Sequence, residues 1–395
     1  MVYKNKLRTW VEIDKKALHG NVEQFFGIIP PTTRFMAVVK SNAYGHGLSL
    51  VAKQLAELQI KNYELKIGKS PSENRNSRLW FGVDSITEAL RLRREGTTVP
   101  ILVLGYILPS RIPEVVVGGI TLTISQFENL KVIAALKNRP VIHLKIDTGM
   151  HRQGFFPSEV PQLIRFLKKH DIRPEGIFTH FAAAKDPTSP AYTLRQFKAF
   201  MKVVGQFEEA GYHGLIRHAA ASGATLLFPE THLDMVRVGM AMYGSLPSRE
   251  AEWSEIAERV SLKPVLAWKT VVGEVKTIPS GSFIGYDGTE RTVRKTRMAV
   301  IPIGYWHGYD RGLSSVGEVL VRGRRARVLG RVSMDMIVVD VTGIIGVQVG
   351  DEAVLIGADT VRHEQITAEE LAQKINTTAY EILTRVNPLI KRIVV

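Results

Sequence analysis

Eight short apolar runs, each bounded by turn or helix signals, recur through the first two-thirds of the chain. They are Arg34–Lys40 (RFMAVVK), Leu79–Val83 (LWFGV), Pro100–Leu104 (PILVL), Ile120–Ile124 (ITLTI), Val141–Asp147 (VIHLKID), Gly176–Phe181 (GIFTHF), Gly214–Ala219 (GLIRHA) and Leu233–Val238 (LDMVRV). Runs this short and rich in β-branched residues read as strands, and stretches with helical periodicity lie between most of them. Ser85–Glu95 (SITEALRLRRE) and Ser125–Lys137 (SQFENLKVIAALK) are two, each opening on a serine able to cap the helix. Eight strands alternating with helices predict an α/β fold, a TIM-like (β/α)8 barrel. Chemistry in such barrels sits at the C-terminal ends of the strands, which singles out Lys40, Lys145, His180, His218 and Arg237.

The texture changes after about Val260. Short β-rich segments follow, Val271–Ile278, Met298–Ile303, Ala326–Leu329 and Met336–Val341, separated by glycine-rich turns, with a helical pattern at Ala368–Ile375. A mostly antiparallel β domain is expected there. The expected division is an N-terminal segment, 1–13, packing on the β domain, then a barrel, 14–258, and a C-terminal β domain, 259–395. The charged stretch Ser248–Val260 reads as a linking helix, with the boundary falling between Ser248 and Pro264. Lys61–Arg78, rich in Lys, Asn and Ser, reads as a surface insertion.

Composition narrows the function classes. A chain of 395 residues exceeds one ordinary core, in keeping with two domains. Cysteine is absent, which removes disulfides, thiol catalysis and thiolate metal sites, and no metal site is expected. The N-terminus lacks an apolar stretch of signal-peptide length, and the longest uncharged run, between Glu95 and Arg111, is broken by Pro100 and Pro109. A cytoplasmic protein without membrane association is expected. The net charge of +14 invites a nucleic-acid reading. However, the basic runs Arg91–Arg94, Arg291–Arg297 and Arg322–Arg327 are not interleaved with the aromatics a single-strand binder stacks on, so no nucleic-acid role is expected. The Arg322–Arg327 cluster reads instead as a solvated sheet edge.

The candidate chemistry begins at Ala37–Gly47, AVVKSNAYGHG, where a strand ends on Lys40 and breaks into a turn. A lysine held there suits carbonyl chemistry, and equally suits a lysine snorkelling from a strand end. Tyr44 and His46 offer donors to a phosphate, and Gly45 and Gly47 allow close backbone approach. Leu144–Gly154, LKIDTGMHRQG, places Lys145 at a strand end and Arg152 after a turn; alone, DTG reads equally as a simple turn. His180 on an apolar strand fits a satisfied core residue as well as a catalytic one. Ser222 follows the seventh run, where barrels often bind phosphate. VRVGMAMYG (Val236–Gly244), SFIGYDG (Ser282–Gly288), IPIGY (Ile301–Tyr305) and GRVSMD (Gly330–Asp335) complete the series.

These motifs, in this order over nearly the whole chain, resemble the alanine racemases, which use pyridoxal 5′-phosphate (PLP). The resemblance implies that Lys40 holds the cofactor and acts as the base on the D-side, while Tyr286 of the partner subunit acts on the L-side. It places Tyr44, Ser222, Gly239 and Met240 at the phosphate, Arg237 at the pyridine nitrogen, and Arg152 at the phenolic oxygen and the substrate. His180 would support the arginine and tyrosine. Lys145 corresponds to a lysine that is often carbamylated, Met334 would offer a backbone N–H to the substrate carboxylate, and Tyr305 would line the entrance. It further implies a homodimer with shared sites, an amino-acid substrate, and D-alanine supply for peptidoglycan. Two departures stand out: Ala221 where many relatives have Asn, and Pro388 where some have a phosphate-contacting tyrosine. A serine or broad-spectrum racemase, a barrel-type PLP decarboxylase and a PLP carrier are the rivals. Arg237 and the lack of cysteine count against the decarboxylase, and the complete β domain counts against the carrier.

Overall fold

In the computed structural model, which describes residues 7–58, 70–71, 73–116, 118–186, 190–246, 260–359 and 364–395, the chain divides into two compact units. One comprises Ala17–Ala43 and Leu48–Lys263; the other comprises Met1–Lys16, Tyr44–Gly47 and Pro264–Val395.

The first unit is a (β/α)8 barrel. With Thr9–Ile13 as β1, its strands are β2 (Arg34–Val38), β3 (Leu79–Val83), β4 (Ile101–Val103), β5 (Thr121–Ile124), β6 (Ile142–Lys145), β7 (Gly176–Phe178), β8 (Ile216–His218) and β9 (Met235–Val238). All eight apolar runs became strands, and neighbours pair in parallel in the order β8-β7-β6-β5-β4-β3-β2-β9. The barrel closes between β8 and β9, where Asp234 N–H donates to Arg217 O at 3.0 Å and Arg237 N–H to Ala220 O at 2.9 Å. Burial on both faces explains why these strands read as apolar runs rather than alternating patterns. The helix Ile86–Arg94 starts as expected, Ser85 Oγ accepting the Glu88 N–H. Ser125 is not a cap: the next helix, Phe127–Ala135, begins after Gln126, without a side-chain cap.

Two local devices shape the barrel mouth and axis. After β2, Ser41, Asn42, Ala43 and Tyr44 all take φ near +55°, a left-handed turn of four non-glycine residues. That conformation costs about 1–2 kcal/mol per L-residue, so its surroundings must hold it. Within the barrel, a Cβ on Gly176 would lie 2.6 Å from the His143 ring, so glycine leaves the room that this buried imidazole needs.

The second unit is a mostly antiparallel sheet. Its strands run in the order Glu274–Ile278, Thr296–Ile301, Ile337–Asp340, Arg324–Leu329, Glu318–Val321, Glu352–Ala358, Leu266–Val271, β1, Lys391–Val394. β1 pairs antiparallel with Leu266–Val271 and parallel with Lys391–Val394. The Val271–Ile278 run is two strands, separated at Val272 and Gly273. The arginine cluster keeps one open margin: Arg324–Arg327 pairs with Glu318–Val321 on one side, whereas only Val328 and Leu329 pair with Ile337–Asp340 on the other. Arg325 meets Glu318, Glu364 and Glu370, and Arg327 meets Glu290. The alternation of strand side chains puts these guanidiniums on the solvated face, where acidic partners offset their repulsion. The linking helix at Ser248–Val260 lies, but for its last residue, outside the described residues, as does most of the Lys61–Arg78 insertion. No helix among the described residues is long and apolar enough to cross a membrane.

Candidate active site

Four cations from the barrel strands and their following turns act on one another at the C-terminal end. Lys40 follows β2, Lys145 ends β6, Arg152 lies in the loop after β6, and Arg237 sits on β9. Lys40 Nζ stands 3.5 Å from Asp84 Oδ1, just beyond β3. Lys145 is buried and donates to Gln153 Oε1 at 3.1 Å. Burial first, then Arg152 and Arg237, push its ammonium down to about 8. Asp147, itself buried, accepts N–H bonds from Gly149, His151 and Arg152 at 2.9, 3.0 and 3.2 Å, which fixes the turn carrying Arg152. Burial alone would raise the Asp147 carboxyl, but those N–H groups and His151 outweigh it and hold it low. His180 is held well below the usual histidine range by burial and by the charges of Arg237, Arg152, Lys145 and Lys40, so its ring is neutral.

Arg237 is locked from three sides. Its Nη2 donates to Thr179 O at 2.8 Å and Ala219 O at 2.9 Å, and its Nη1 to His218 Nδ1 at 2.9 Å. His218 Nε2 lies 2.9 Å from His143 Nδ1, and His143 Nε2 lies 3.3 Å from Glu175 Oε2. Glu175 in turn pairs with Arg75 at 2.9 Å. A guanidinium only donates and a carboxylate only accepts, so every proton in this chain points from Arg237 toward Glu175. Both imidazoles therefore carry their proton on Nε2 and stay neutral, in line with burial pushing both below the ordinary range. Burial also lowers Arg237 to about 9, which leaves it charged at neutral pH. Its Nη2 also lies 3.4 Å from His180 Nδ1, so four contacts with the protein fix the guanidinium.

After β8 Ser222 opens a short helix, and its Oγ accepts the Gly239 N–H at 2.9 Å. The hydroxyl proton must then point elsewhere. Ala221 occupies the cap position with no side-chain bond. Met240 follows in a turn of 3-10 helix, Met240–Tyr243.

The remaining expected residues lie in the second unit. There a cavity of ≈ 1070 Å³ brings together Tyr286, Tyr305 and Met334 with Arg331, Ser333 and Arg385. Tyr305 N–H donates to Ser333 O and Trp306 N–H to Met334 O, both at 3.0 Å. A Cβ on Gly304 would stand 2.1 Å from Ser333 O, so IPIGY needs its glycine for this approach. Tyr286, Tyr305 and Met334 are 68%, 44% and 54% exposed, presented rather than packed. Tyr44 meets the edge of Tyr380 at 6.1 Å, and burial raises the Tyr380 phenol to about 12. Pro388 is exposed in a turn. His46 is fully buried with Nδ1 3.1 Å from Tyr44 O, so that nitrogen carries the proton and serves the backbone.

Sequence reasoning missed Asp84, Glu88, Gln153, and the His143–Glu175–Arg75 end of the buried chain. Only Glu88 carried a signal, as the last residue of the S-x-x-E pattern Ser85–Glu88. Gln153 lies in the same LKIDTGMHRQG loop as Lys145, and the others meet through the pairing of strands distant in sequence.

Comparison with known proteins adds an independent line. The family model "Alanine racemase, N-terminal domain" matches residues 13–64 and 73–247, and "Alanine racemase, C-terminal domain" matches 265–394. The alanine racemase of Leptospira interrogans serovar Lai is 38% identical over 397 residues, covering 99% of this chain and 97% of its own. That of Symbiobacterium thermophilum is 39% identical over 389 residues, covering 97% and 96%. Among solved structures, alanine racemase from Clostridium difficile 630 superposes with a TM-score of 0.87 at 30% identity, covering 99% of this chain and 96% of that one. Alanine racemase from Bacillus anthracis, solved with bound L-Ala-P, gives 0.86 at 33% identity, covering 98% and 95%.

Proposed function

The chain belongs to the alanine racemase family and is an amino-acid racemase, an isomerase; from that premise we propose that it interconverts L- and D-alanine with PLP and two acid–base groups. The observation that carries this reading is the barrel-mouth cluster of Lys40, Lys145, Arg152 and Arg237 around the neutral His180. Four cations faced by Asp84 and Asp147 fit a ligand that brings a phosphate and a carboxylate. That donor set suits PLP: Lys40 would hold it, with Tyr44, Ser222, Gly239 and Met240 at the phosphate and Arg152 at the phenolic oxygen. The bound cofactor supplies an electron sink that acidifies the α-proton of the amino acid.

Arg237 would face the pyridine nitrogen. Because a guanidinium keeps its protons, that nitrogen stays unprotonated, which limits side reactions such as transamination. Lys40 and Tyr286 of the partner subunit would serve opposite faces of Cα, since inversion requires removal of a proton on one face and its return on the other. Tyr286 takes the proton from L-alanine and Lys40 that from D-alanine. Arg152 and the Met334 backbone N–H would orient the substrate carboxylate, and Tyr305 would line the entrance. The lowered ammonium of Lys145 leaves a fraction of free amine able to take up carbon dioxide, and the resulting carbamate would pair with Arg152. The exposure of Tyr286, Tyr305 and Met334 supports a homodimer in which each barrel borrows them. The L-Ala-P bound by the Bacillus anthracis relative supports an alanine-derived ligand. A cytoplasmic role supplying D-alanine for peptidoglycan completes the proposal, with a barrel over 14–258 and a β domain over 259–395.

The test is incubation of purified protein with PLP and L-alanine, or L-serine, in deuterated water. D-Alanine carrying solvent deuterium, abolished in Lys40→Ala, is the expected result. Tyr286→Phe is expected to slow the reaction from L-alanine more than exchange at D-alanine. Deuterium in L-alanine without inversion would refute the two-base assignment, and faster turnover of serine would refute the substrate.

A further inference from the structure

We propose that Glu88 is the positioning residue for Lys40: one carboxylate that ties the left-handed turn after β2 to the β3 junction. The inference rests on Lys40 being the lysine that holds the cofactor. Glu88 Oε1 accepts the Ser41 N–H at 2.8 Å and the Asn42 N–H at 3.4 Å, while Oε2 accepts the Asp84 N–H at 2.8 Å. Successive N–H groups in a left-handed turn point into one concavity that favours an anion, and the Glu88 carboxylate fills it. Both junctions beside Lys40 therefore hang on one side chain, since Asp84 is also the carboxylate 3.5 Å from Lys40 Nζ.

Glu88 is itself held. Its backbone N–H donates to Ser85 Oγ at 3.2 Å, and its negative charge sits in the first turn of the helix Ile86–Arg94, where the helix dipole favours it. Other bonds support the turn as well: Ala43 N–H donates to Val39 O at 2.8 Å, and Asn42 Oδ1 accepts the Leu48 N–H at 3.0 Å. Neither engages the Ser41 N–H, the first after Lys40. Ser41 is exposed, so the chain there gains nothing from packing to offset the left-handed strain. A glutamine offers one carbonyl oxygen to three N–H groups and carries no charge.

The test compares Glu88→Gln, Ser85→Ala and the double variant Ser41→Gly/Glu88→Gln in the full chain. Two readouts are used: amide hydrogen exchange at Ser41 and Asn42 without cofactor, and the rate at which PLP plus borohydride labels Lys40, located by peptide mass. Glu88→Gln is expected to speed exchange about tenfold, the loss of one charge-assisted hydrogen bond, and to slow labelling several-fold. Ser85→Ala, which removes one support of Glu88 but leaves the carboxylate, is expected to change both readouts less than Glu88→Gln does. The double variant is expected to regain labelling, because glycine adopts the left-handed turn freely. Unchanged exchange and labelling in Glu88→Gln, equal losses in Ser85→Ala, or a double variant no better than Glu88→Gln would each overturn the proposal. Should Glu88→Gln not fold, Glu88→Asp, with its charge kept and one methylene lost, is read by the same criteria. Labelling of wild type at a lysine other than Lys40 would sink the cofactor reading alone, since exchange at Ser41 and Asn42 still tests the clamp.

Discussion

Lys145→Met should stabilise the cofactor-free protein at neutral pH and cease to do so in alkali. The folded chain lowers the Lys145 ammonium from 10.5 to about 8 by burial and by neighbouring Arg152 and Arg237. The unfolded chain retains an ordinary lysine near 10.4. Between these values the unfolded state binds one more proton, so stability rises with pH across that window. Below about pH 8 both states are protonated and the folded state bears the whole cost, roughly 3 kcal/mol for a lowering from 10.5 to about 8. Methionine removes that cost but also the Gln153 bond, worth about 1 kcal/mol, and the contact of Nζ with the Phe178 ring 5.7 Å away, worth about 0.5–1 kcal/mol. A net gain of about 1–2 kcal/mol at pH 7 follows. At pH 10.5 Lys145 is largely neutral in the folded state and about half so in the unfolded one, so the gain vanishes and the variant becomes the less stable protein by about 1 kcal/mol. Urea unfolding at pH 7, 9 and 10.5, in buffer stripped of carbon dioxide to keep the amine free, measures this directly. A difference between variant and wild type that does not change with pH, or a variant already less stable at pH 7, would refute the reasoning.

Other perturbations test the turn after Lys40 and the buried histidine chain. Gly45→Ala should cost about 3 kcal/mol or more, since Gly45 has a φ of +89° and an added Cβ would lie 2.0 Å from Leu383 O. Gly96→Ala, at a φ of +87° with nothing within 4 Å, should cost only about 1 kcal/mol. Equal losses in thermal unfolding would remove the clash from the explanation. Glu175→Met should leave the His143 Nε2–H without its acceptor at a cost of about 1–3 kcal/mol. The same change should disturb the Nε2–H tautomer of both His143 and His218, read by ¹⁵N chemical shifts; an unchanged tautomer pattern would show that Glu175 does not set proton direction.

What this sequence determined by itself is the set of elements and the order of the chemistry. Eight buried strands had to be apolar on both faces, so β2–β9 were legible as runs without knowledge of their neighbours. Lys40, Lys145 and Arg237 were legible as candidates because each lies at the end of such a run, and Ser85 marked the start of Ile86–Arg94. Local patterns misled at one helix start, where Ser125 stands one residue too early to cap. In Arg324–Leu329 the arginines have a partner strand on one side only, since the second partner meets just Val328 and Leu329.

The tertiary structure alone decided which groups act on one another. His143 and His218 are 75 residues apart, yet the barrel sets His143 Nδ1 2.9 Å from His218 Nε2 and, with Glu175 at one end and Arg237 at the other, dictates the direction of every proton between. Glu88 follows Lys40 by nearly fifty residues and meets the Ser41 and Asn42 N–H groups because β2 and β3 are neighbours in the sheet. The lowered ammonium of Lys145 likewise belongs to no local motif. It arises from burial and the fields of Arg152 and Arg237, and burial and electrostatic fields act through space, whereas a sequence records only neighbours along the chain.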